Sequence, residues 1–193
     1  MTRSAAIVAA LFAAALAPVA AALLIPQRSG VHAAQAGQPL LQIDAGRVQS
    51  LRVRRPGATR ESVVERTPTG GWTFRFEHDD GAVTSQWPVT PSRARGAVRV
   101  LADLRAVAEP TVGAGLPDEA LTVRIGMDDG VTHVLLFDPR PVGGTCLVEA
   151  PGGRLAFGED SVRRALMERG PRGWRSPSAL PGVGAEVSRI SVA

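Results

Sequence analysis

The chain has 193 residues, 45% hydrophobic and 21% charged, which excludes a disordered protein and fits one domain with a single core. The net charge is +4 and the isoelectric point about 11.0, but all 22 basic residues are Arg. With no Lys to deprotonate near pH 10 the isoelectric point rises by itself, and no basic run is interleaved with aromatic residues, which argues against a nucleic-acid partner. The single cysteine, Cys146, excludes an intrachain disulfide; it lies in the run Thr145 to Val148 and reads as a small core residue.

Ala5 to Ile25 is a run of 21 residues without a charged or polar side chain. As a helix it would span about 31 Å, the thickness of a bilayer's hydrocarbon core. Arg3 and the free amine before it favour a cytoplasmic N-terminus. Residues 1–25 are therefore expected to be a signal anchor with a single transmembrane helix. Residues 26–38 form a linker, and 39–193 an extracytoplasmic domain at the inner (cytoplasmic) membrane, facing the periplasm or the outside. The alternative is a cleaved signal peptide, since Ala20-Ala21-Ala22 and Ala34-Gln35-Ala36 both fit an A-x-A cleavage pattern. Both readings export the domain.

From Pro39 the pattern becomes β-like. Val48, Leu51 and Val53 alternate with polar residues, Pro56-Gly57 turns the chain, and Glu61 to Arg66 returns. Arg52 and Arg54 can then face Glu61 and Glu65 as cross-strand ion pairs. Trp72, Phe74 and Phe76 alternate with Thr73, Arg75 and Glu77, placing three large rings on one core-facing side of a strand. Ala82 to Val89, with Trp87, reads as another strand. Thr90-Pro91 is a helix start, and the helix is expected to run to about Ala108 with Ala94, Ala97, Val98, Leu101 and Leu104 on its apolar stripe. His32 falls in the linker.

Leu121, Val123 and Ile125 begin the second half, and Asp128-Asp129-Gly130 turns them into Val131 to Phe137. Strands follow at Cys146 to Glu149 and Leu155 to Phe157, a helix at about Asp160 to Arg169, a loop carrying Trp174, and a last strand through Val187, Ile190 and Val192. No repeat is visible in the residues themselves. The fold class is α+β: a mainly antiparallel sheet with two helices on one face.

Catalytic signatures are missing. The sequence contains no G-x-S-x-G, H-E-x-x-H, C-x-x-C, G-x-x-x-x-G-K or G-x-G-x-x-G. Glu77, His78, Asp79 and Asp80 are adjacent, but Glu77 and His78 point to opposite faces of a strand and so do not converge on a metal. His133 sits mid-strand and reads as packed. No catalytic, cofactor or metal residues are assigned. The candidate interaction residues are Arg93, Arg95 and Arg99, which lie off the apolar stripe of the first helix with only Asp103 to answer them.

The order of features resembles the bacterial domain of unknown function 4340 family over about Leu40 to Val192. Val48-Leu51-Val53, Trp72, Pro88, Val98-Leu101-Leu104, Gly115-Leu116-Pro117 and the closing Val187-Ile190-Val192 carry the resemblance. Pro91-Ser92 stand where that family has an Asp. The resemblance implies an anchored, exported α+β domain with no established activity, linked to ABC-2-type and gliding-motility-like ABC transporters. Together these readings give a non-catalytic, membrane-anchored accessory module with an ABC-type permease complex as partner. The alternative is an exported domain that binds an anionic envelope polymer or lipid surface, and an envelope hydrolase comes third.

Overall fold

The structure, a computed structural model, describes residues 32–84, 86–111, 114–168 and 171–174. The expected anchor, Ala5 to Ile25, and the expected last strand through Val187 to Val192 lie outside the described residues. The chain divides into two compact units, Met1–His32 and Ala33–Ala193, and the fold described here is that of the second.

The architecture is α+β, as the residue pattern predicts. Its strands are β1 (His32–Ala33), β2 (Val48–Arg54), β3 (Arg60–Arg66), β4 (Trp72–His78), β5 (Trp87–Pro88), β6 (Leu121–Met127), β7 (Thr132–Phe137), β8 (Thr145–Ala150) and β9 (Arg154–Glu159). The helices are α1 (Pro91–Ala102), α2 (Asp160–Glu168) and the single turn α3 (Pro171–Trp174), with a 3-10 turn at Ala45–Arg47 before β2. One sheet holds every strand in the order β1-β9-β8-β7-β6-β2-β3-β4-β5, and β2 to β9 pair antiparallel throughout.

The period-2 patterns set which side of each strand is buried. Trp72, Phe74 and Phe76 of β4 join Leu51 and Val53 of β2, and Val123 and Ile125 of β6, in one core. Ala94, Ala97, Val98 and Leu101 of α1 and Val162 and Leu166 of α2 enter the same core, so both helices cover the inner face. The hairpin at Asp128-Asp129-Gly130 forms because Gly130 adopts a φ of 83°, open to glycine at little cost, while Asp129 Oδ1 accepts the Val131 N–H at 3.0 Å.

The structure corrects four sequence expectations. Helix α1 stops at Ala102, not Ala108: beyond Asp103 the backbone extends, and Leu104 O and Ala106 N bond to Leu40 N and Gln38 O. Strand-like partners thus replace the helical ones. Among the described residues between Ala82 and Val89, only Trp87–Pro88 is strand. Trp174 is not in a loop; it ends α3 and is 1% exposed. The fold also reaches back before Pro39: Ala34 is 2% exposed and donates its N–H to Leu155 O at 2.9 Å. Cleavage after Ala36 would remove that contact, whereas cleavage after Ala22 would not.

The topology contains a repeat. β2-β3-β4-β5-α1 and β6-β7-β8-β9-α2 are two meanders, each of four strands and a helix, and they meet antiparallel at β2 and β6. Arg52 and Arg124 are Cα partners at that junction. Both halves carry Pro-x-Gly-Gly before their third strand, Pro68 to Gly71 and Pro141 to Gly144.

Among the described residues, the outer sides of β4 and β9 are covered. β4 bonds along its outer side to Ala82, Thr84 and Val89, and β5 ends in Pro88, which has no N–H to offer. On the other side Leu155 O takes the Ala34 N–H, and Phe157 pairs with Val107 and Ala108.

Candidate functional site

The three candidate arginines separate. Arg93 leaves the helix surface and donates Nη1 to Gly173 O at 2.9 Å, tying α1 to α3. Arg95 and Arg99, one turn apart, line a groove of about 530 Å³ between α1 and the 3-10 turn. Arg99 meets Asp103 at 3.7 Å with both side chains largely in solvent, a pair that contributes well under about 1 kcal/mol. Among the described residues Arg95 has one hydrogen-bond partner, the carbonyl of Pro91 in its own first turn, at 3.4 Å.

The groove contains residues that sequence reasoning missed. Its apolar floor is Ile43, Trp72 and Val98. Its far wall is Arg66, whose guanidinium lies 5.6 Å over the Trp72 ring and donates Nη1 to Gly46 O at 3.1 Å. Arg66 Nε is buried and has no hydrogen-bond partner among the described residues. The pairing Arg66↔Trp72 between β3 and β4 sets this wall. Only a contact between distant residues joins it to α1, so no local pattern announces it. Three cations therefore surround an apolar floor, with Asp44 and Asp103 at the margin. Such a groove accepts a ligand that offers both a carboxylate or phosphate and an apolar side.

On the opposite face of the sheet the predicted arginine–glutamate pairing forms in part: Arg52 meets Glu61 as expected, while Arg54 and Glu65 take other partners. Arg124, Glu61, Arg52, Glu77, Arg75 and Glu65 alternate in one line across β6, β3, β2 and β4. Arg124–Glu61 is 2.6 Å, Arg52–Glu61 3.4 Å, Arg52–Glu77 2.5 Å and Arg75–Glu77 2.6 Å, and Arg75 closes on Glu65. Arg54 takes Asp79 at 2.7 Å. Burial pushes the Glu77 carboxyl up, but hydrogen bonds from Arg75 and Arg52, with their charge, outweigh it and hold Glu77 below the ordinary carboxylate range.

The remaining sequence candidates resolve as structural. Glu77, Asp79 and Asp80 are committed to Arg52 and Arg75, to Arg54, and to the Ala82 N–H. Among the described residues no group of three His, Cys, Asp or Glu side chains could hold a metal ion. Cys146 is buried, and desolvation, reinforced by Asp160, pushes its thiol up to about 12. That is the reverse of what a nucleophile needs. Asp160 itself is buried and paired within α2 with Arg163 at 2.5 Å, while its N–H donates to Gly144 O at 3.0 Å and ties the start of α2 to the segment before β8.

These features define an α+β protein with one twice-used meander, a basic groove beside α1 and a charge-paired outer face. No family model matches the chain, and no curated protein or solved structure matches it.

Proposed function

We propose that the protein is a non-catalytic recognition module, held on the outer side of the cytoplasmic membrane by Ala5 to Ile25, that serves an ABC-type transport complex. The observation that carries this reading is the groove of Arg66, Arg95 and Arg99 around Ile43, Trp72 and Val98. A charged rim over an apolar floor suits a protein segment bearing an acidic residue next to an apolar one. The choice of partner, an exported loop of a permease subunit, rests on the sequence resemblance to the domain of unknown function 4340 family alone. A lipid surface or anionic polymer is the second reading, supported by the same cations.

The test places a photo-crosslinking side chain at Ala102, on the groove wall, in the full-length protein in native membranes. The expected result is one reproducible permease adduct that disappears in Arg95→Glu/Arg99→Glu. Adducts only to lipid or polymer, released by salt, would move the assignment to the second reading. No adduct of either kind would refute both.

A further inference from the structure

The outer face carries a second groove, independent of the one beside α1. Here β2, β6 and β7 lie side by side, with Ser50, Gly126 and Thr132 in one cross-strand row and Arg52 and Arg124 in a neighbouring row. These residues and Glu61 line a space of about 310 Å³. Gly126 makes the floor: a Cβ there would come within 2.4 Å of Ser50 Oγ. The absent side chain leaves a dent flanked by two hydroxyls.

Glu61, 8% exposed, holds both arginines through their Nη1 atoms. Each guanidinium is thereby fixed in orientation. Nε and Nη2 of each have no protein partner among the described residues, and neither do the hydroxyls of Ser50 and Thr132. The alternating network that begins at Arg124 turns back at Arg75 to Glu65, which stands across from Ser50 at the border of the groove and is held there by Arg75. Two preset guanidinium edges and two free hydroxyls around a dent are the donor set for a tetrahedral oxyanion. The volume lies at the lower end of the roughly 300–1,000 Å³ typical of ligand pockets and leaves space beyond a bare phosphate.

We propose that Arg52, Arg124, Ser50 and Thr132 form a binding site for a phosphate group, free or as a small phosphate monoester, at the junction of the two meanders. The experiment measures thermal stability of the full chain in detergent against increasing inorganic phosphate or glycerol 3-phosphate, at ionic strength held constant with sodium chloride. The expected result is a saturable rise in Tm. The ester should bind more tightly because it fills the remaining space, and equal affinities would assign the site to free phosphate. Arg124→Gln should weaken binding at least tenfold. Thr132→Val, at an exposed position that should tolerate the change, should weaken it about threefold. No saturable shift with either anion, or unchanged affinity in both variants, would overturn the proposal.

Discussion

Replacing Phe74 with Ala tests the central claim about the inner face. Phe74 is 0% exposed. Its ring meets Phe76 edge-on, with centroids 5.0 Å apart at 76°, and lies stacked on Trp87 at 6.0 Å and 28°. Truncating a buried Phe costs about 3–5 kcal/mol, and loss of two aromatic pairs, each worth about 0.5–1.5 kcal/mol, puts this site at the upper end of that range. A domain of this size has roughly 5–15 kcal/mol to lose. With a urea slope of about 1–3 kcal/mol per M, the midpoint should fall by more than about 1.5 M. The assay is a urea titration of the detergent-solubilised full chain, followed by near-ultraviolet circular dichroism. Arg75→Ala, one residue away on the other face, is the control. Its side chain is partly buried between Glu65 and Glu77, so it should cost about 1–2 kcal/mol, more than a solvated Arg but far less than Phe74. A loss below about 1.5 kcal/mol for Phe74→Ala, or equal losses for the two variants, would refute the assignment of faces.

Three further outcomes are expected. Because the folded pKa of Glu77 is depressed, its contribution to stability should be complete above the ordinary value of 4.5 and lost as the pH falls through the folded value. Urea midpoints between pH 6 and 3 should therefore fall less steeply in Glu77→Gln than in the wild type, and parallel curves would contradict the ion-pair geometry. Cys146, with its thiol pushed up to about 12, should resist a thiol-specific disulfide reagent at pH 8 until denaturant unfolds the domain; rapid labelling of native protein would show the site to be open. Gly126→Ala should cost about 1–3 kcal/mol because its Cβ collides with Ser50 Oγ. Adding Ser50→Ala should restore most of that in a double-mutant cycle, and purely additive losses would mean that the two residues do not touch.

Where the structure agrees with the sequence, the signal is local. Alternation at Trp72, Phe74 and Phe76 fixes β4 and its buried side, and Asp128-Asp129-Gly130 fixes a turn. Non-local contacts decide the rest. The end of α1 is set by Gln38 and Leu40, more than 60 residues earlier in the chain, which capture the backbone of Leu104 and Ala106. Arg93 lies on the other side of the helix from Arg95 and Arg99, two and six residues away, so spacing alone separates it from them; what spacing does not show is the Gly173 carbonyl that it meets there. Arg66 and Trp72 enter the groove through strand pairing, and Arg52 and Arg124 meet through the β2–β6 register. The repeated meander leaves little trace in the residues beyond Pro68 to Gly71 and Pro141 to Gly144, because a sheet needs only the period of its pattern to be kept.

The covered edges of the sheet restrict how any partner can bind. A bare edge lets a foreign peptide join as an extra strand, gaining affinity from backbone hydrogen bonds that are largely indifferent to its sequence. Here Ala82, Val83, Thr84 and Val89 occupy that position along β4, and Ala34, Val107 and Ala108 occupy it along β9. Along these strands a ligand is left to engage side chains on the two grooved faces. Selectivity then rests on a few arginines whose directions are already set, and single substitutions in the partner should be enough to break or redirect recognition.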